Sequence, residues 1–564
     1  MRYPKLKSTP SYARTVEVFG GYNHNLSIGA GEFYDMKNLS SDLYPLLSPR
    51  KKRGFYRKPA SPQGLIALEQ VCYVDGSAFV IGDDRVELGL SVAAQDCPKR
   101  LTAMGAYVII LPDKVYINTR DFSDRGLLDA SFTGEATLTL CTVDGTAVEA
   151  ATGETPPEAP ENLDYWLCDT LKQYDAALGA WVEVADPCVK LVCDGIGKDF
   201  RAGDAVTVTG IGGLEGSRQI LDAKPDQLIL QGLATGTHTL TVSRTMPEVD
   251  FLTESGNRLW GCRYGYDAGG HFVNEIYASK LGDFRNWNCF QGLSTDSYAA
   301  ACGTDGPFTG AVTHLGAPLF FKETCVHRVY GNYPRNFQIQ ATACRGVEPG
   351  CARSLAIVGE TLFYKSRSGI CAFDGSLPVP VSEALGKDVY TDAVAGSCGS
   401  KYYVSMADGS GAYTLFVFDT AKGLWHKEDD LQAAAFCTCR GELYCIDAQK
   451  RNIITLLGSG EPEDAPRWMA QTGQIRCSDS GRGYLSRLVL QLAVARDAEV
   501  EVSVRYDSRG DWLHLCTVFG TGTNSFSLPV RPRRCDHLHL RLEGTGEFQL
   551  YSIRKIMEGG SDQP

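Results

Sequence analysis

The sequence predicts an all-β protein: a β-propeller of about seven blades, a small β-domain inserted into it, and a C-terminal β-sandwich. Three observations lead there. Short apolar runs separated by turn pairs recur at roughly 40-residue spacing, the period of a four-stranded blade. The 564 residues include 60 Gly, 26 Tyr and 23 Phe, a mix that suits many short strands joined by tight turns. After Pro466 the pattern changes to long, strict alternation of apolar and polar residues.

Taken in order, residues 1–62 read as an arm. The segment GGYNHNLSIGAGEFYDMKNLSSDLYPLLSPRKKRG has scattered aromatics and many Gly, Asn, Ser and Pro, with no sustained period. Residues 63–130 read as the first part of the propeller. In GLIALEQVCYVDGSAFVIGDDRVELGL the pairs Asp75-Gly76 and Asp83-Asp84 mark the turns. Residues 131–246 have another texture, opened by the Pro- and Glu-rich TGETPPEAPENLDYW and continued by alternating strands, and read as an inserted β-domain. The blade style resumes over 247–465, in segments such as GETLFYKSRSGICAFDG and RGELYCIDAQKRNIITLL. Residues 466–564 read as the sandwich. Helix is confined to one short turn near SEALGKDVYT.

Composition narrows the function. A net charge of −12 argues against a surface built to grip nucleic acid, because phosphate binding draws on excess Lys and Arg. No apolar run approaches the ~18 residues of a membrane helix. The basic N-terminus lacks the apolar stretch of a secretory signal. The 20 cysteines form no compact framework and read as mostly reduced thiols, with Cys344 and Cys351 as a candidate pair.

Three segments carry a family resemblance: EFYDMKNLSSDLYPLLSPRKKRG, NEIYASKLGDFRNWNCF and LPVRPRRCDHLHLRLEGTGEFQLYSIRKI. They resemble phage and prophage structural proteins of Gram-positive hosts and, more distantly, the DNA-stabilisation or nozzle proteins of short-tailed phages. The resemblance implies a virion protein of the tail or neck, made in the bacterial cytoplasm. It implies a closed ring of identical subunits, with a hexamer as the candidate symmetry. The expected partners are the portal or head-to-tail adaptor, other tail proteins, and genomic DNA passing through without specific binding. A net-acidic subunit suits such a conduit wall. Phe33, Tyr34, Leu43 and Leu46, with the basic run Arg50, Lys51, Lys52 and Arg53, are the candidate subunit contacts. The arm has no core of its own and must bury its apolar residues on something larger.

Other groups invite chemistry. Asn257, Arg258, Trp260, Tyr277, Ser279 and Trp287 fall in one blade and could form a sugar platform, though blade packing is the commoner use of such aromatics. Asp507, Gly510 and Trp512 look like part of a sialidase-type turn. His537 and His539 share a strand face, with Asp536 expected on the opposite one; two ligands are few for zinc, which takes three or four. Cys437, Cys439 and Cys445 read as a thiol cluster in a blade core. Gly195–Phe200 holds a Gly-Lys pair without the rest of a phosphate loop. Arg531, Arg533 and Arg534 form a second, smaller basic cluster. No constellation of nucleophile, base and orienting group can be named from the sequence, so the chain is expected to build structure, without cofactor or metal, and not to catalyse. The alternatives are a receptor- or glycan-binding tail module and a propeller glycosidase.

Overall fold

The computed structural model describes residues 11–92, 99–476, 483–520, 522–530 and 533–559. Arg531 and the basic stretch before Ser11 lie outside the described residues. The fold class stands: the chain is all-β, built from propeller-type sheets. Helix among the described residues is limited to the 3-10 turns Pro334–Asn336, Ala352–Ser354 and Glu383–Leu385, the last within the segment expected to turn. No helix among them is long and apolar enough to cross a membrane. The chain divides into two compact units, one from the described parts of 1–99, 321–325 and 343–564, the other from 100–320 and 326–342.

In the first unit, four-stranded meanders follow one another. The earliest runs Pro62–Ala67, Val71–Asp75, Ala78–Ile81, Asp84–Glu87, each strand pairing with the next. Its inner strands VCYVD and AFVI are buried at every position, while the outermost strand buries only Val86. That is the pattern of a sheet covered on both faces at its centre and wet at its rim, and it explains why inner strands read as continuous apolar runs. Two further meanders span Ala356–Val358 to Val379–Pro380 and Thr391–Cys398 to Leu424–Lys427.

The last meander has three strands of its own, Ala433–Cys439, Glu442–Asp447 and Asn452–Thr455. Its fourth comes from the arm: Gly54–Arg57 pairs antiparallel with Asn452–Thr455, placing Arg57 opposite Ile453 and Gly54 opposite Thr455. Gly54 is required there, since a Cβ at that position would lie 1.8 Å from the Ser459 carbonyl oxygen. Leu65, Val71, Tyr73 and Val80 of the first meander pack on Ala434, Cys439, Ile446 and Ile453 of the last.

The arm is therefore not a separate segment. Ser11–Val16 pairs with Phe548–Gly559, and Glu32–Lys37 pairs with Trp468–Thr472, so both belong to the C-terminal sandwich. One sandwich sheet is ordered Ser11–Val16, Phe548–Gly559, Gly483–Val494, Gly522–Leu528. The other runs from Gly21–Tyr22 through Glu32–Lys37, Trp468–Thr472, His537–Thr545 and Glu499–Tyr506 to Leu513–Phe519. Period-2 alternation buries Val500, Val502, Val504, Leu538, Leu540 and Leu542, each contributing about 1.5–3 kcal/mol of burial.

In the second unit the meander Arg100–Met104 to Arg125–Leu127 is followed by a closed six-stranded barrel. The barrel begins with Ala130–Cys141 and ends with Gly236–Arg244, which pair with each other. Its interior is filled by Leu138, Val189, Leu191, Val206, Ile220, Leu228, Leu230 and Val242. The meander Phe251–Ser255, Arg258–Tyr266, Phe272–Ala278, Tyr298–Ala301 comes next in the chain.

Candidate functional site

The arm residues expected to meet a neighbouring subunit divide into two groups. Phe33, Arg50 and Arg53 are buried within the chain itself, which corrects their assignment as free contact residues. Arg53 Nη2 donates to Glu428 Oε2 at 2.8 Å and to Asp429 Oδ1 at 2.7 Å, and Arg50 donates to Glu463 and to Asn38 Oδ1. Burial alone would raise the Asp429 carboxyl, but Arg53 outweighs it and holds that group below the usual carboxylate range. The two arginines of the basic run are thus neutralised by acids from a distant part of the sequence. Tyr34 and Leu46 are half-buried, while Leu43, Lys51 and Lys52 are exposed.

The aromatic blade residues are core. Trp260, Trp287 and Ser279 are buried, and the buried Arg258 donates to the carbonyls of Ser279, Ser294 and Asp296. None of these presents a face to a ligand. The second unit nevertheless contains a cleft suited to one. Its volume is about 350 Å³, and one wall comes from the barrel: Arg218 and Gln219 on Gly216–Lys224, and Gln231 at the end of Gln227–Gln231. The other wall is the loop after Phe272–Ala278, with Asn288, Phe290 and Gln291.

That loop is held rigidly. The buried Asp296 carboxylate accepts from the Gln291 N–H at 2.5 Å and the Leu293 N–H at 3.0 Å. Buried Asn286 accepts from the Ala205 N–H at 2.8 Å and donates to Gly203 O, tying the loop's base to the barrel. Arg244 and Arg285 both face the fully buried Asp204 beneath. At the rim, Gln291 Nε2 donates to Gln219 Oε1 at 2.8 Å.

Within this frame two groups stand out. Phe290 is 60% exposed, an aromatic face left in solvent. Arg218 Nε is buried without a hydrogen-bond partner, and Arg218 makes no ion pair among the described residues. A cleft with a guanidinium whose Nε lacks a partner while its Nη1 donates to the Ser217 carbonyl, four amides and an aromatic edge offers directed donors and acceptors beside an apolar platform. Sequence reasoning missed it because its two walls come from segments some 70 residues apart, as the Gln291–Gln219 contact shows.

The histidines of the sandwich converge on one hydroxyl. Ser508 Oγ lies 2.7 Å from His537 Nε2 and 2.9 Å from His539 Nε2. His537 Nδ1 lies 3.2 Å from Asp536 Oδ2, and His539 Nδ1 lies 3.2 Å from the Thr472 carbonyl oxygen. Asp536 was expected on the opposite face; it precedes the strand His537–Thr545, so strand alternation does not govern it. Burial lowers the His539 imidazole below the ordinary histidine value, helped by the nearby charge of Arg505. His514 hydrogen-bonds Thr517.

The thiols also sort differently. Cys437 and Cys439 share a core cluster with the first meander, near Cys72, whereas Cys445 packs in another cluster with Val394 and Tyr403. Cys351 is a buried free thiol, so it is not bonded to Cys344. In Gly195–Phe200, Ile196 and Phe200 are buried in the barrel core.

No family model matches the chain, and no curated protein matches it. Solved structures do. An exo-β-1,3-galactanase from Phanerochaete chrysosporium is 11% identical over 54% of this chain and 94% of its own, with a TM-score of 0.21. A glycoside hydrolase family 43 arabinoxylan arabinofuranohydrolase from Bacillus subtilis is 9% identical over 54% and 94%, with a TM-score of 0.17. The extracellular domain of a one-component system from B. thetaiotaomicron is 8% identical over 92% and 98%, with a TM-score of 0.15. At these values the likeness concerns fold alone.

The expectation that the chain does not catalyse is corrected. The solved structures it aligns with include glycoside hydrolases.

Proposed function

We propose that the chain is a glycan-recognising β-propeller protein of a phage tail, with the sugar held in the cleft between Arg218 and Phe290. The observation that carries the reading is the buried, partnerless Nε of Arg218 in a rigid polar cleft beside an exposed aromatic ring. A buried donor without an acceptor costs about 1–3 kcal/mol, and a sugar hydroxyl entering the cleft would relieve that cost. Gln219, Gln231 and Asn288 can each donate and accept, as hydroxyl pairs on a sugar ring demand. The C–H face of the ring would lie on Phe290.

The tail setting rests on the resemblance of the arm, blade and sandwich segments to phage structural proteins. In that setting the exposed Leu43, Lys51 and Lys52 are the arm residues left for a neighbouring subunit of the ring. The test is co-sedimentation of the full chain with purified wall polysaccharide from Gram-positive cells. Retention that free oligosaccharide competes away, and that Arg218→Ala and Phe290→Ala each weaken about tenfold, is the expected result. Retention unchanged in both variants would overturn the assignment of the cleft.

A further inference from the structure

We propose that Ser508 is a nucleophile for carboxylic esters, with His537 as its base and Asp536 as the group that orients the base. This site lies in the C-terminal sandwich and is independent of the cleft assigned above.

The geometry starts with the backbone. Asp507 and Ser508 both adopt left-handed conformations, with φ of +50° and +52°. Consecutive non-glycine residues there are strained, and such strain persists only where surrounding contacts impose it. Those contacts are present. The Asp507 N–H donates to the His537 carbonyl at 2.9 Å, and Asp507 Oδ1 accepts from the Asp536 N–H at 2.8 Å. The Arg509 N–H donates to the Tyr506 carbonyl at 3.0 Å. The turn is thus strapped to the start of the histidine strand, which fixes the serine hydroxyl against the imidazole.

Partners then set the tautomers. Asp536 accepts from His537 Nδ1–H, which leaves the Nε2 lone pair facing Ser508 Oγ. The Thr472 carbonyl likewise accepts from His539 Nδ1–H, so His539 Nε2 also presents a lone pair to the same oxygen. One hydroxyl proton faces two acceptors, and a base remains in reach whichever holds it. A serine, an imidazole and a carboxylate in this order are the elements of acyl transfer.

In the forward step Ser508 Oγ bonds to the ester carbonyl carbon as its proton passes to His537 Nε2, and the C=O π pair moves onto oxygen. Arg505, opposite His539 in the sheet register, adds positive charge on this side of the sheet, which favours the oxyanion. Collapse breaks the C–O bond to the alcohol, which leaves with the proton from His537. Water then gives a proton to His537 Nε2 as its oxygen bonds to the acyl carbon; the acyl–Oγ bond breaks, Oγ takes the proton back from His537, and a carboxylic acid is released. Ser508 is exposed and Asp536 is 72% exposed, so the site is open. It suits a short acyl ester displayed on a polymer more than an enclosed small molecule.

The experiment uses the full chain and a fluorophosphonate probe, with intact-mass analysis and peptide mapping, alongside hydrolysis of p-nitrophenyl acetate. The expected result is one adduct, on Ser508. It is absent in Ser508→Gly, a change that suits the left-handed turn. His537→Gln is expected to slow labelling and hydrolysis about 100-fold or more, and Asp536→Asn less, with unaltered melting temperatures. A folded wild-type chain that takes up no probe, or Ser508→Gly labelled as well as wild type, would overturn the proposal.

Discussion

Two arginines in this chain put the same side chain to opposite uses. Arg53 sits in the first unit with its guanidinium on Glu428 and Asp429, all three side chains largely buried, and fastens the arm to the last meanders. Arg218 sits in the second unit, in a cleft, with its Nε buried and unmatched. Both Nε atoms are buried and unmatched; what separates the two is the Nη side, which meets two carboxylates in Arg53 and only the Ser217 carbonyl in Arg218, beside an open cleft. The contrast also separates damage to the fold from damage to recognition.

The largest effect is expected at the fixture. Arg53→Ala leaves Glu428 and Asp429 buried without their main cation, and stability should fall by about 3–5 kcal/mol in denaturant unfolding. A loss within error would mean that the arm is not held by this network.

Acid should act next, through His426. Burial pushes this imidazole down to about 3, so it is neutral in the folded chain and protonates on unfolding. The unfolded state then binds more protons at any pH between the free value of about 6.5 and the folded value, and stability falls as pH drops through that window. At pH 5 the linkage cost is about 2 kcal/mol. Melting curves from pH 7 to 4 should show a shallower decline for His426→Leu than for wild type. Parallel curves would show that other groups govern acid sensitivity.

A smaller and more selective effect is expected in the cleft. Arg218→Ala and Phe290→Ala should each weaken oligosaccharide binding by about tenfold while shifting stability by no more than about 0.5 kcal/mol. Gly232→Ala sharpens the point from the other side. At φ +146°, an added Cβ would lie 2.3 Å from Leu214 Cδ2 and 3.7 Å from Arg218 Nε, so this change should disturb both fold and cleft.

Local parts of this structure were legible in the sequence. The meander strands show as apolar runs with Asp-Gly turns between them, and the sandwich shows as strict alternation, because both patterns come from neighbours along the chain. The long-range parts were not. The strand Gly54–Arg57 has no period that marks it, since its ladder partner is Asn452–Thr455. Arg50 and Arg53 read as a solvated basic run because their acids lie more than 370 residues away. Ser508 drew no attention because its partners, 29 and 31 residues on, reach it only through strand pairing. A sequence displays each residue's chemistry, but only the fold decides which groups are spent on one another.

The most direct test of the central claim is calorimetric titration of the full chain with a defined oligosaccharide from Gram-positive cell wall, repeated with Arg218→Ala. Saturable one-to-one binding by the wild-type chain is expected, with about tenfold weaker binding by a variant that melts at the wild-type temperature. Binding of equal strength by both proteins would contradict it.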